Sequence, residues 1–270
     1  MPPYSDISKS VLAAFSIHAT PQPLPGGQGH SILCDNVVLK PGADEEEAAW
    51  LADLVPTLSH KGFRTAKPVP ALDGRWTVEG WSAWTRLAGQ QSTQHPHEIL
   101  QAGRALEKAL AGTASKPDWM ARRQHPWAVA DRMVWGEQPL YEDEALLAPI
   151  RGLWSLLKPV RLPHQLIHGD LAGNTLFAEG LPPGIIDLSF YWRASGYGLA
   201  IAAVDLVDWY GAPLSLFVEL KDIPEHLQLL ARAELFRVLV YGGFGLKGEA
   251  LEKRTKDHLR TIEWLCSQLS

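Results

Sequence analysis

Apolar positions recur in two rhythms along this chain, and the rhythm changes near residue 89. Between Ser5 and Ile17 the spacing of Val11, Leu12 and Phe15 predicts a short helix, with a serine or aspartate to cap its start. Pro21, Pro23 and Pro25 then break regular structure. Short β-type runs flank a turn at Cys34-Asp35-Asn36 and end in Val37-Val38-Leu39-Lys40, where Pro41-Gly42 stops the strand. Asp44 to Ser59 reads as a strong helix. Asp44 is its N-cap, acids fill its first turn, and Ala48, Leu51, Leu54 and Val55 share one face until Pro56 marks the end. Arg75–Val78 and Trp81–Leu87 read as strands, with Asp73-Gly74 before them as a hairpin-type turn. From Glu98 to Leu110 the period becomes helical. Gly112 to Pro126 reads as a loop, and a further helix follows near Trp127 to Trp135. The remainder is helical except from Leu166 to Asp187, where short apolar and β-branched runs return. The pattern predicts a β-rich first part with one main helix, residues 1–88, and a mainly helical second part, residues 89–270.

The β-type interruption holds the densest chemistry. His168-Gly169-Asp170-Leu171-Ala172-Gly173-Asn174 is followed by Ile185-Ile186-Asp187. Phosphoryl transfer needs charge neutralised on the phosphates, metal held in place and an acceptor hydroxyl oriented. A carboxylate can take the hydroxyl proton, and an amide oxygen with a second carboxylate can hold Mg²⁺, which favours hard oxygen ligands. Asp170, Asn174 and Asp187 supply those groups. The plain structural reading is a tight loop whose Asp and Asn satisfy backbone groups. A metal-hydrolase reading with His168 and Asp170 as ligands lacks a second histidine cluster.

Composition narrows the field. Hydrophobic residues make up 46% and charged residues 20%, which suits a globular chain rather than a disordered one. A net charge of -5 gives no global pull toward nucleic acid or an anionic membrane surface. Two distant cysteines, Cys34 and Cys266, form no metal-spaced pair or disulfide framework. With no basic leader and no apolar run near the roughly 20 residues of a membrane helix, the expectation is a cytoplasmic protein without membrane or nucleic-acid partners. Oligomeric state is not legible.

The motif set resembles the aminoglycoside phosphotransferase and choline kinase group. The wording around Leu181-Pro182-Pro183 and Tyr191-Trp192-Arg193 is similar to an actinobacterial branch of it. The resemblance implies an α+β, protein-kinase-like, two-lobed fold with a small antiparallel-sheet N-lobe and a mainly helical C-lobe. It implies Asp170 as catalytic base, Asn174 and Asp187 as Mg²⁺ ligands, and His168 as a structural residue of the catalytic loop. Gly26, Gly27 and Gly29 resemble the glycine-rich loop over ATP phosphates, and Lys40 the strand lysine that contacts them. Of the helix acids Glu45, Glu46 and Glu47, Glu47 is the one best matched to pair with Lys40, with the other two as alternatives. Thr85 and Leu87 offer backbone groups to adenine, and Asp205 braces the catalytic loop. The implied cofactors are ATP and Mg²⁺, and the implied partner is a small molecule bearing a hydroxyl.

The chain departs from that pattern in three ways. Three residues separate Asp170 from Asn174, one fewer than in most relatives. Ser189 stands two after the metal aspartate, where many relatives carry an acid. The catalytic-loop lysine of protein Ser/Thr kinases is absent. The first two motivate an alternative, a nucleotide-binding pseudokinase or scaffold without phosphotransfer.

Overall fold

The structure is a computed structural model that describes residues 7–24, 31–113 and 115–270. Gly26, Gly27 and Gly29 lie outside the described residues. Helix α1 (Lys9–Ala14) starts at Ser8, whose hydroxyl accepts from the Val11 N–H, and ends before Ser16, which turns left-handed at φ 55°. That turn makes it shorter than its apolar spacing predicts. Strands β1 (Gln22–Pro23), β2 (Ile32–Cys34) and β3 (Val37–Pro41) follow. Helix α2 (Glu45–Leu54) is capped by Asp44, whose Oδ1 accepts from the Glu47 N–H at 3.0 Å. Pro56 then allows only a 3-10 turn, Val55–Thr57. Strands β4 (Arg64–Thr65), β5 (Pro68–Val69), β6 (Thr77–Val78), β7 (Trp81–Thr85) and β8 (Gln90–Gln91) complete the β-rich part.

Strand β7 organises the first sheet. It pairs antiparallel with β3 along one edge and with β5 and β6 along the other. Its hairpin with β6 turns at Glu79-Gly80, both at positive φ (50° and 76°), the geometry that matches strand twist in a two-residue loop. Asp73-Gly74 closes a separate turn instead, its carboxylate accepting from the Arg75 N–H. The strand before β7 therefore begins at Thr77 rather than Arg75. Val11, Phe15, Leu39, Val78 and Ala83 join in one core under this sheet. Truncating a fully buried side chain such as Leu39 costs about 2–5 kcal/mol.

Helices α3 (Pro96–Leu110), α4 (Trp119–Arg122), α5 (Pro126–Val134), α6 (Glu144–Leu147) and α7 (Arg151–Ser155) come next. The expected loop from 112 to 126 thus contains one helical turn, seated on the buried Trp119 and Met120. Strand β9 (His164–His168) precedes β10 (Thr175–Phe177), β11 (Gly184–Ile185) and β12 (Phe190–Ala194). Helices α8 (Tyr197–Asp208), α9 (His226–Gly243), α10 (Gly248–Lys256) and α11 (Leu259–Leu269) end the chain.

By packing, the chain divides into two compact units. One holds the residues up to Ser92 together with Gly173–Asp187, and the other holds Thr93–Ala172 with Leu188–Ser270. A single cut between 88 and 89 had placed 173–187 in the second part. They go with the first because β10 pairs antiparallel with β8 while β11 lies parallel to β4. In the second unit α8 is buried at every position from Tyr197 to Val207, and α9 from Gln228 to Tyr241. Helices apolar all round belong in a core, so the charges they carry must find partners there.

Candidate active site

In the first unit, β3 carries Lys40 and the β10–β11 hairpin carries Asn174 and Asp187. Lys40 Nζ lies 3.0 Å from Asp187 Oδ1, joining residues 147 apart in the chain. The ammonium also stands 5.9 Å from the centre of the Trp84 ring. Asn174 is buried, and its backbone carbonyl accepts from the Ile186 N–H at 3.0 Å. That bond sets Asn174 and Asp187 at the same end of the hairpin. Asp187 adopts φ 54°, a left-handed conformation uncommon for a residue with a side chain though less so for aspartate. Such backbone persists only where its surroundings hold it, and it clusters at functional sites.

The shortened loop has a simple solution. Ala172–Asn174 forms a single 3-10 turn, tighter per residue than an α-helical one. The Gly173 carbonyl is tied down by the side-chain amide of Gln91.

The segment after β7 shows how the other expected contacts sort. The Thr85 N–H donates to the Lys67 carbonyl at 2.8 Å, and the Thr85 hydroxyl accepts from the Lys67 N–H at 2.9 Å. The Thr85 donor is therefore engaged within the sheet. Leu87 lies beyond the strand with its side chain over Gly184. Gly89, at φ 125°, passes so close to β10 that a Cβ there would stand 2.8 Å from the Phe177 carbonyl oxygen. Arg64 ties this segment to the β10–β11 loop, donating to the carbonyls of Ala88 (3.0 Å) and Pro182 (2.7 Å). No motif signalled Arg64.

Among the three acids of α2, Glu45 is committed elsewhere. Its carboxylate accepts from the N–H groups of Trp76 (3.2 Å) and Thr77 (2.8 Å) and from the Thr77 hydroxyl, and although desolvation raises its pKa, these bonds hold it below the usual range. Glu47 is half-buried in the first turn.

In the second unit, β9 and β12 pair antiparallel and present the His168-Gly169-Asp170 motif at their end, with His168 opposite Phe190. The buried His168 accepts the Asp170 N–H at Nδ1 (3.1 Å), which fixes that nitrogen as unprotonated. Gly169 donates to the Ser189 carbonyl at 2.8 Å, so Ser189 anchors the loop through its backbone. A Cβ at Gly169 would meet the Tyr191 ring at 2.4 Å, which explains glycine here. Asp170 projects a half-exposed carboxylate; Arg237 Nη2 lies 3.2 Å from its Oδ1.

Arg237 rises from α9 and is buried. Its Nε and Nη2 grip the two oxygens of Asp205 on α8 at 2.6 and 2.5 Å, and Nη2 also reaches the Gly169 carbonyl at 3.1 Å. Burial pushes the Asp205 carboxyl up to about 6, and the guanidinium opposes that shift. The same carboxylate raises the arginine further, so the pair is ionised at neutral pH. Asp205 itself sits on a helix whose start is held by Glu107, which accepts the Gly196 N–H at 2.7 Å. Arg193 is buried and forked onto Asp131 (2.6 Å) and Glu137 (2.5 Å).

A profile of the phosphotransferase enzyme family matches residues 36–239, about three quarters of the chain. The chain belongs to that phosphotransferase family. Its fold is shared by solved structures of low identity. Choline kinase LicA from Streptococcus pneumoniae is 11% identical, with 94% of this chain and 97% of that one covered and a TM-score of 0.61. Spectinomycin phosphotransferase APH(9)-Ia, in complex with ADP and spectinomycin, is 13% identical over 96% of both chains, with a TM-score of 0.57. A choline/ethanolamine kinase family protein from Mesorhizobium loti is 15% identical, covering 92% and 88%, with a TM-score of 0.56. No curated protein matches the sequence. The expected α+β, protein-kinase-like fold is therefore the fold of this phosphotransferase-family chain, with its antiparallel-sheet N-terminal region and helical C-terminal part. Among its described residues, no helix is long and apolar enough to cross a membrane.

Arg237 escaped the sequence reading. Its signal is local: an arginine inside Leu235-Phe236-Arg237-Val238-Leu239 is a charge in an apolar run, and a buried charge needs a partner.

Proposed function

We propose that this chain transfers the γ-phosphoryl group of ATP to a hydroxyl of a small molecule, with Mg²⁺ as cofactor. The observation that carries the reading is the meeting of Lys40 and Asp187 at 3.0 Å, with the Asn174 backbone tied to Ile186, the neighbour of Asp187. The donor set fits the metal: an amide oxygen and a carboxylate are hard ligands of the kind Mg²⁺ accepts, with water and phosphate oxygens supplying the rest. Asn174 and Asp187 would hold the ion. When bound, it would neutralise charge on the β- and γ-phosphates.

The remaining roles fall to the chain's own groups. Lys40 meets the phosphates as a cation at the end of β3, and Glu47 is the helix acid that steadies it. The Gly26-Gly27-Gln28-Gly29 segment covers the phosphates with backbone N–H groups. Adenine is met by backbone beyond β7 around Leu87, because the Thr85 N–H is already engaged with Lys67. Asp170 orients the acceptor hydroxyl and takes its proton as the hydroxyl oxygen bonds to the γ-phosphorus and the bond to the β–γ bridging oxygen breaks, releasing ADP. The proposed setting is the cytoplasm.

A screen of hydroxylated metabolites for Mg²⁺-dependent ATP consumption tests the proposal, with Asp170→Asn as the control. The expected result is turnover with one acceptor class, reduced by about 10²–10⁴-fold in Asp170→Asn while ATP still binds. ATP binding without turnover against any acceptor would favour a nucleotide-binding scaffold instead.

A further inference from the structure

The Asp170 N–H is held by the His168 ring, and one oxygen of its carboxylate meets a guanidinium rooted in the core. Arg237 and Asp205 are each about 1% exposed. A buried ion pair is weak evidence for stability, because desolvating two charges offsets most of their attraction, and apolar replacements are often neutral or better. Packing of α8 against α9 therefore gives little reason for an arginine here. What the arginine adds is direction. Its Nε and Nη2 are locked on Asp205 at 2.6 and 2.5 Å, and its Cζ lies 5.0 and 4.9 Å from the ring centres of Trp209 and Phe236. From that fixed plane Nη2 reaches the Gly169 carbonyl (3.1 Å) and Asp170 Oδ1 (3.2 Å) together. One donor group thus sets both the backbone and the side chain of the proposed base.

We infer that Arg237 is a positioning residue for phosphoryl transfer. It holds Asp170 through Oδ1 so that the acceptor hydroxyl delivers its proton to Oδ2. The inference rests on the phosphotransferase reading proposed above. The guanidinium fork is essential to it. A lysine at 237 would keep a cation opposite Asp205, but a single ammonium cannot span Asp205, Gly169 and Asp170 in one plane.

A double-mutant cycle tests the inference, using Mg-ATP and the acceptor found by the screen, or water as acceptor if none is found. Arg237→Lys and the charge-free pair Arg237→Met with Asp205→Leu keep the interior balanced, so a folding failure of Arg237→Met alone does not end the test. In each, kcat should fall by about 10²-fold with the KM for ATP within about 3-fold. In an Asp170→Asn background the same changes should cost almost nothing more, because Arg237 acts through that carboxylate. A merely structural arginine would multiply its loss with that of Asp170→Asn, and that outcome overturns the inference, as does a kcat within about 3-fold of wild type. Crystal structures of wild type and Arg237→Lys give an arm independent of turnover. The Asp170 carboxylate should be displaced in the variant, and an unmoved carboxylate refutes the positioning role. If the wild type turns over no Mg-ATP, the phosphotransferase reading fails by itself, and the crystallographic arm still decides whether Arg237 sets Asp170.

Discussion

Two ion pairs, one in each unit, serve the same proposed reaction by opposite physical means. Lys40 and Asp187 form a pair with side chains 23% and 54% exposed, while Arg237 and Asp205 form one that water scarcely touches. The first pair is solvated, so separating it costs about 0–1 kcal/mol. Both partners can turn toward a phosphate or a cation at little expense. The second pair cannot be opened without leaving a charge uncompensated inside the protein. In the proposed reaction, the groups that exchange partners stand in water, and the group that holds Asp170 is anchored in the core.

Breaking each pair sharpens the contrast. Arg237→Met should have the largest effect on stability, lowering the unfolding free energy by about 3–5 kcal/mol because Asp205 is left buried and alone. Urea unfolding checks it, and pairing the substitution with Asp205→Leu should recover most of the loss.

Glu107 extends the contrast to pH. Burial raises its carboxyl to about 7 from 4.5, against the backbone N–H bonds at the start of α8. The folded state then binds a proton that the unfolded state releases. Its stabilising contribution is complete below about 4.5 and is lost as pH rises through 7. Over that window wild-type stability should fall by about 3 kcal/mol relative to Glu107→Gln. Parallel unfolding curves from pH 4.5 to 8 measure it, and a constant difference between the two proteins would contradict it.

Lys40→Met should give the smallest effect on stability, under about 1 kcal/mol in the same urea assay. A loss of several kcal/mol would mean that the Lys40–Asp187 pair is a structural brace like the other one.

Legibility in the sequence followed the range of the interactions. Strands β3 and β7, helix α2 with its Asp44 cap, and helix α3 could be read because local spacing and capping specify them. The turn at Glu79-Gly80 has no local signal, since glutamate rarely adopts positive φ while Asp-Gly is a common hairpin dipeptide, and only pairing with β7 reveals it. Assigning 173–187 to the first unit required knowing that Leu176 pairs with Gln91 and Gly184 with Arg64, contacts without any local signature. Of the proposed functional residues, Asp170, Asn174, Lys40 and Asp187 could be named because short motifs carry them. The partners of Arg237 and Arg64 could not, because they are remote in the chain: Gly169 and Asp170 for Arg237, Ala88 and Pro182 for Arg64.

The exchangeable role of Lys40 and Asp187 is tested most directly by calorimetric titration of the full chain with ATP, with Mg²⁺ and then with EDTA, for wild type and Asp187→Asn. A Mg²⁺-dependent phosphotransferase should bind one ATP with Mg²⁺ present and lose at least tenfold in affinity, about 1.4 kcal/mol, both with EDTA and in the variant. No binding by the wild type, or binding indifferent to EDTA and to Asp187, would contradict it.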